Sequence, residues 1–169
     1  MLENITLEKR QHINREIRDF IDKTLRESSE FFQQNFNDLQ IDNYEYSANE
    51  AIEELGLDSD LVNQLIEDYV IQVLKSKALF VQYLQELKTA QKNLKNLNYT
   101  PLRELTHKNL GVARNLRIKD GIKILDELME KDDLDYLTLC VKALEFCAIR
   151  LKPKCAYKTL KLIDIKSSL

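Results

Sequence analysis

The chain has few residues of the kinds that interrupt helices. Its 169 residues include only 3 Gly and 2 Pro, and no Trp. Because glycine and proline are the usual helix breakers, their scarcity favours long helices joined by short turns. No stretch approaches the roughly 18 consecutive apolar residues of a membrane-spanning helix, and the first residues lack the apolar core of a signal peptide. The composition therefore predicts an all-α protein without membrane insertion.

Cysteine and histidine are too few and too widely spaced for a metal site or a disulfide framework. Cys140, Cys147 and Cys155 have no metal-binding spacing, and we interpret them as small buried thiols of a reducing compartment. His12 and His107 are far apart, and neither belongs to a zinc motif. A glycine-rich phosphate loop is also absent from the sequence. These absences predict a cytoplasmic protein that is not an enzyme and has no metal or cofactor of its own.

Apolar residues recur every three or four positions along most of the chain, which predicts amphipathic helices and no strand. Residues 6–39 are expected to form one helix or two, and residues 41–48 are a polar break with turn-forming residues. Gly56 is expected to end the next helix, while Asp58, Asp120 and Asp132 or Asp133 are candidate N-caps. The helices after the break are predicted at 48–55, 61–94, 100–119, 121–130, 134–151 and, as a shorter one, from 153 onward.

Short links between these helices favour antiparallel neighbours, and hence an up-down bundle. The helix at 134–151 has the broadest apolar face, so we expect it at a central position. The polar break divides the chain into an N-terminal helical extension, residues 1–45, and a helical bundle, residues 46–169. The extension could pack on the bundle, form a homodimer with a second copy, or link the bundle to another module.

Residues 100–119 are the most informative segment of the sequence. Thr100 is a candidate N-cap and Pro101 suits the first helical turn. At roughly 100° per residue, the apolar side chains gather on one face and His107 falls on the opposite, exposed face. Gly111 and Arg114, four and seven residues later, lie on the same face as His107. A glycine inside a helix, one turn from an exposed histidine, indicates that something approaches closely there.

The same segment is strongly basic. It has five basic residues against the single acid Glu104, a net +4 in a chain whose net charge is −3. The basic residues are Arg103, Lys108, Arg114, Arg117 and Lys119. A positive strip around one exposed imidazole suits a partner with an acidic pocket, a phosphate group, or both. Because the strip is local, it does not indicate nucleic-acid binding, which requires a broad basic surface.

Five positions of this segment resemble the signature of histidine-containing phosphotransfer (HPt) domains, approximately H-x-L-K-G-[SA]-[SA]-x-N-L-G. The matching residues are His107, Gly111, Ala113, Asn115 and Leu116. The order of a short helix, the turn LGLD and a long helix before the histidine helix is similar to that family as well. The departures from the signature include Asn109 for leucine, Leu110 for lysine and Arg117 for the final glycine.

The resemblance implies an antiparallel four-helix bundle with additional N-terminal and C-terminal helices. It also implies a histidine phosphocarrier, in which His107 exchanges a phosphoryl group with the aspartate of a response-regulator receiver domain. The partner would be that receiver domain or a hybrid histidine kinase. In this family the receiver supplies the carboxylates and the Mg²⁺, so the carrier needs no cofactor.

By the same resemblance, each residue near His107 has an expected role. Gly111 would let a loop of the receiver come close, and Arg103, Lys108 and Arg114 would contact the phosphate or the acidic pocket. Leu110 is expected to be exposed as a docking contact, and Asn115 to help hold the helix geometry.

Two other interpretations stay open. One is a docking-only domain that binds receivers without being phosphorylated, because the family's lysine is missing at Leu110. The other is a helical interaction or dimerisation module, in which the N-terminal helix carries the function and His107 is incidental. In that interpretation Gly111 merely permits close helix packing.

Overall fold

The structure, a computed structural model, describes residues 6–167 and is all-helical within them, with no strand. Its seven α-helices are α1 (Leu7–Phe36), α2 (Asn49–Leu55), α3 (Ser59–Lys92), α4 (Thr100–Asn115), α5 (Lys119–Glu130), α6 (Leu134–Leu151) and α7 (Pro153–Ser167). A single 3₁₀ turn, Asn37–Leu39, follows α1. The predicted all-α class is confirmed, and none of these helices is both long and apolar enough to cross a membrane.

Several helix ends lie where capping residues predict them. Asp58 accepts a hydrogen bond from the Leu61 N–H at 2.8 Å, and Asp133 accepts one from the Tyr136 N–H at 3.0 Å. Gly56 ends α2 with a φ of 64°, a value that glycine adopts without strain. Asp120 was predicted as a cap, but it is the second residue of α5 and is buried.

Helix α6 occupies the centre of the molecule, as its broad apolar face predicts. It packs against α1, α3, α5 and α7, and apolar side chains are buried around most of its circumference. Helix α4 packs against α3 and α5, so the histidine helix lies at the side of the fold away from α1 and α7. The fully buried members of this core include Phe80, Leu102, Leu125, Leu137 and Ile149.

The N-terminal helix packs on the rest of the chain. Its buried residues contact α6 and α7, and the Phe31 ring lies 5.1 Å from the Phe146 ring, centroid to centroid. Of the three roles open to this segment, packing on the helices that follow is therefore observed. A dimer through the same apolar face would require α1 to leave α6 and α7. The division of the chain at residue 45 stays a prediction.

Candidate functional site around His107

His107 is exposed on α4, as the amphipathic pattern predicts. Lys108, Gly111 and Arg114 are exposed beside it, while the opposite face of α4 is buried against α3 and α5. A Cβ built at Gly111 would meet no atom within 4 Å among the described residues. Close helix packing therefore does not account for this glycine, and the surface next to the imidazole is open.

The imidazole borders an open groove of about 550 Å³ between α4, α5 and the loop that precedes α4. Leu97, Tyr99 and Met129 supply half-buried apolar surface, and Arg103 and Glu104 supply the charged side of the groove. The Tyr99 hydroxyl donates a hydrogen bond to the Asp132 carbonyl oxygen at 2.9 Å, which ties this loop to the end of α5. Burial raises the pKa of Tyr99 above its ordinary value.

Arg103 holds the end of α5. Its guanidinium donates hydrogen bonds to the carbonyl oxygens of Leu128 and, at 2.7 Å, of Lys131, and it stacks on the Tyr99 ring at 4.8 Å. Cations are favourable at these carbonyls because the C-terminal end of a helix carries partial negative charge. Arg103 would have to leave these acceptors to contact a phosphate group, so its position gives it a structural role.

The remaining basic side chains of the strip are mostly paired with acids from other helices. Arg114 contacts Asp126 of α5 at 3.1 Å, and Lys119 contacts Glu50 of α2 at 3.7 Å. Arg117 is likewise paired with Glu54 of α2. Among residues 6–167, Lys108 is in no ion pair, so it is the cation of the strip that is free beside His107. The net charge counted along the sequence therefore overstates the positive field at the imidazole.

The prediction that Leu110 is exposed was wrong. Only 3% of its surface is accessible, because the helices packed on α4 cover its flank as far as Leu110, about 60° around the helix from His107. Asn115 is the exposed last residue of α4, and its side chain makes no hydrogen bond within the described residues. The described residues therefore provide no side-chain hydrogen bond through which Asn115 would hold the helix geometry, and its role stays a prediction.

Asn109, at the position where the resemblance expects leucine, is fully buried in a polar network. Its Oδ1 accepts a hydrogen bond from the Gln72 side-chain amide at 3.0 Å. Its Nδ2 donates to the Leu105 carbonyl oxygen at 3.0 Å and to the Ser76 hydroxyl at 3.4 Å. Sequence reasoning missed this network because Gln72 and Ser76 lie more than 30 positions away, on α3.

Arg117, at the position of the family's final glycine, has a positive φ of 58°. It is the first residue beyond the cap of α4, where the Ile118 N–H bonds to the Ala113 carbonyl oxygen at 3.0 Å. A non-glycine residue in this left-handed region costs roughly 1–2 kcal/mol. This backbone conformation ends α4 at Asn115, short of the predicted end at residue 119.

Two tyrosines from the segment after α1 hold the same turn, and sequence reasoning did not identify them. The Tyr46 hydroxyl donates to the Leu116 carbonyl oxygen at 2.6 Å, and the Tyr44 hydroxyl accepts from the Lys119 N–H at 3.1 Å. Residues on both sides of the predicted boundary at residue 45 thus join at the C-terminal end of the histidine helix.

Comparison with known proteins gives no match: no protein-family model matches the chain, and no curated protein and no solved structure is significantly similar to it. Within residues 6–167, no three His, Cys, Asp or Glu side chains are grouped as metal ligands would be.

Proposed function

We propose that this chain is a histidine phosphocarrier that exchanges a phosphoryl group between His107 and the aspartate of a response-regulator receiver domain. The observation that carries the proposal is the open surface at Gly111, one turn from the exposed imidazole, which no packing within the described chain explains. A partner that must bring its own active site to the histidine requires such a surface.

The proposed reaction needs little from the chain itself. A neutral imidazole nitrogen of His107 attacks the phosphorus of the partner's aspartyl phosphate in line; a P–N bond forms, the P–O bond to the aspartate breaks, and the carboxylate leaves. The reverse reaction returns the phosphoryl group. Lys108, the unpaired cation of the strip, would stabilise the phosphoryl oxygens, and Arg114 would do so if it were released from Asp126. The receiver or hybrid kinase would supply the carboxylates and Mg²⁺.

The proposal includes a four-helix bundle made of α3, α4, α5 and α6. Each of these helices packs against two of the others, in the order α3, α4, α5, α6 and back to α3. Helices α1 and α7 pack together outside that ring, where α7 also contacts α3 and α6 and α1 also contacts α6. This arrangement would keep the His107 face of α4 clear of the additional helices.

The proposal is tested by transfer of phosphoryl groups from phosphorylated receiver domains of the same organism to the purified chain. His107→Gln is the test variant, and His12→Gln is the matched control because His12 is also exposed and lies on α1, paired with Glu16 at 3.0 Å. We expect acid-labile label on the wild type and on His12→Gln, and none on His107→Gln. Label that persists on His107→Gln would show that another residue is the acceptor.

A docking-only domain is the second candidate function. Two observations favour it. Leu110, which stands where the family has a lysine, is buried, and Arg103 is hydrogen-bonded to the end of α5. Under this alternative, receivers bind the chain at micromolar strength but never label it. If receivers bind the wild type without labelling it, the carrier proposal is refuted and the docking-only function is supported.

A further inference from the structure

Two helices of this chain end in the same way, each with a residue that is unusual there. After α3, the Leu94 N–H bonds to the Gln91 carbonyl oxygen at 3.1 Å, and the Lys95 N–H bonds to the Ala90 carbonyl oxygen at 2.9 Å. This pattern places Leu94 at a φ of 55°. Arg117 occupies the equivalent position after α4. Glycine is the usual residue at this position, because a Cβ is strained in the left-handed region.

The two positions differ in what the side chain contributes. Arg117 pairs with Glu54, so its side chain has a partner that glycine could not have. Leu94 is 95% exposed, so its side chain packs against almost nothing in the described chain. A leucine here exposes apolar surface and strains the backbone, and glycine would remove both costs. Such local strain persists mainly where a residue has a functional role.

Leu94 lies close to the His107 groove. Leu97, which lines the groove, is three residues further on, and three residues span at most about 10 Å. A standard protein interface covers about 800 Å² on each partner and is thus roughly 30 Å across. An interface centred on the His107 groove, extending about 15 Å from its centre, has room to include Leu94.

The charge around Leu94 suits a partner with an acidic surface. Residues 87–99 contain three lysines and no acid. Lys92 and Lys95 flank Leu94, are exposed and take part in no ion pair within residues 6–167. In contrast to the paired cations of α4, these lysines carry unneutralised positive charge, which would steer an acidic partner toward the groove.

We infer that Leu94 is a docking residue: it enters an apolar depression on the receiver domain that reacts at His107, with Lys92 and Lys95 against the acidic rim of that partner. The inference rests on the proposed function. It accounts for the strain, the exposure and the position of Leu94 together, because a leucine that becomes buried on binding contributes to affinity while glycine contributes nothing.

The test uses the full chain and the receiver domain that labels the wild type, and it measures both Tm and Kd. Leu94→Gly should raise Tm by a few degrees, because backbone strain is removed. It should weaken receiver binding about tenfold or more, because a buried leucine is lost. Gln40→Gly is the matched control: Gln40 is exposed with a φ of 53° but lies beyond α1, so Tm should rise and Kd should not change. Leu94→Met, which keeps an apolar side chain, should keep Kd within about threefold.

The outcomes separate the two proposals. If the wild type is labelled at His107 and Leu94→Gly binds the receiver as tightly as the wild type, the docking role is overturned while the carrier stands. If no receiver labels or binds the wild type, both proposals are overturned. If Leu94→Gly instead converts a dimer to a monomer with Kd unchanged, Leu94 belongs to a contact between two copies, and the inference is wrong.

Discussion

The hydroxyl of Tyr69 is buried without a hydrogen-bond partner, and it fills the space above Gly121. Tyr69 is 2% exposed, and its oxygen has no partner within the described chain. A Cβ at position 121 would overlap that oxygen, whereas its other nearest neighbours, on Ile118 and the Tyr69 ring, lie at 3.5 Å. The hydroxyl oxygen of Tyr69 is therefore the one atom that an alanine side chain at position 121 would overlap, and Tyr69→Phe removes that atom.

These contacts set the expected changes in the free energy of unfolding. Tyr69→Phe should stabilise the fold by about 1–3 kcal/mol, the cost of a buried unsatisfied polar group. Gly121→Ala alone gains up to about 1 kcal/mol of helix propensity but meets an overlap that costs about 1–3 kcal/mol, so it should destabilise the fold. In the double variant the overlap is gone and the propensity gain remains. The two substitutions should therefore be coupled by about 1–3 kcal/mol.

Urea unfolding of the wild type, both single variants and the double variant measures this coupling as a double-mutant cycle. The double variant should be the most stable of the four. Coupling below about 0.5 kcal/mol, the usual additivity error, would refute the overlap. A loss of more than about 1 kcal/mol in Tyr69→Phe would refute the missing hydrogen bond, because that is the net value of a bond that is made.

Variants at two further positions test the polar interior. The free energy of unfolding of Asn109→Leu should stay within about 1 kcal/mol of the wild-type value, because half-buried Gln72 can turn to water and burial of the leucine offsets the lost hydrogen bonds. Asn109→Ala should lower the free energy of unfolding by about 2 kcal/mol. Equal losses in both variants on urea unfolding would contradict this account of the Asn109 network. Burial raises the pKa of Asp120 above its ordinary 3.8, so the folded state holds this proton more tightly than the unfolded state does. The fold therefore loses stability as the pH rises from 3.8 through the raised pKa of the folded state. Asp120→Asn should therefore be more stable than the wild type near neutral pH, with the gain shrinking as pH is lowered toward 3.8, as thermal unfolding across that range would measure.

Local sequence signals were sufficient for the helices and for the exposure of His107. Asp58 and Asp133 cap the helices they were predicted to cap, because a carboxylate before the first turn satisfies free backbone N–H groups whatever the tertiary fold. The central position of α6 follows from its apolar circumference, since such a helix must be covered on most sides. His107 is exposed because it lies opposite the apolar side chains of its own helix, and only the period of the helix is needed to place it there.

The surroundings of the imidazole were decided by tertiary structure. Three of the five cations of the basic strip are paired with acids of α2 and α5, and Arg103 is bound to the carbonyl oxygens that end α5. Leu110 is buried because α3 and α5 pack on either side of α4, which widens its covered face beyond the apolar stripe. Asn109 lies within that stripe, and its hydrogen bonds depend on Gln72 and Ser76 of α3. The sequence by itself thus determined the helices and the face that carries His107, because helix period and capping are local. The charge, burial and hydrogen bonding around His107 depend on which helices pack against α4, and only the tertiary structure sets that packing.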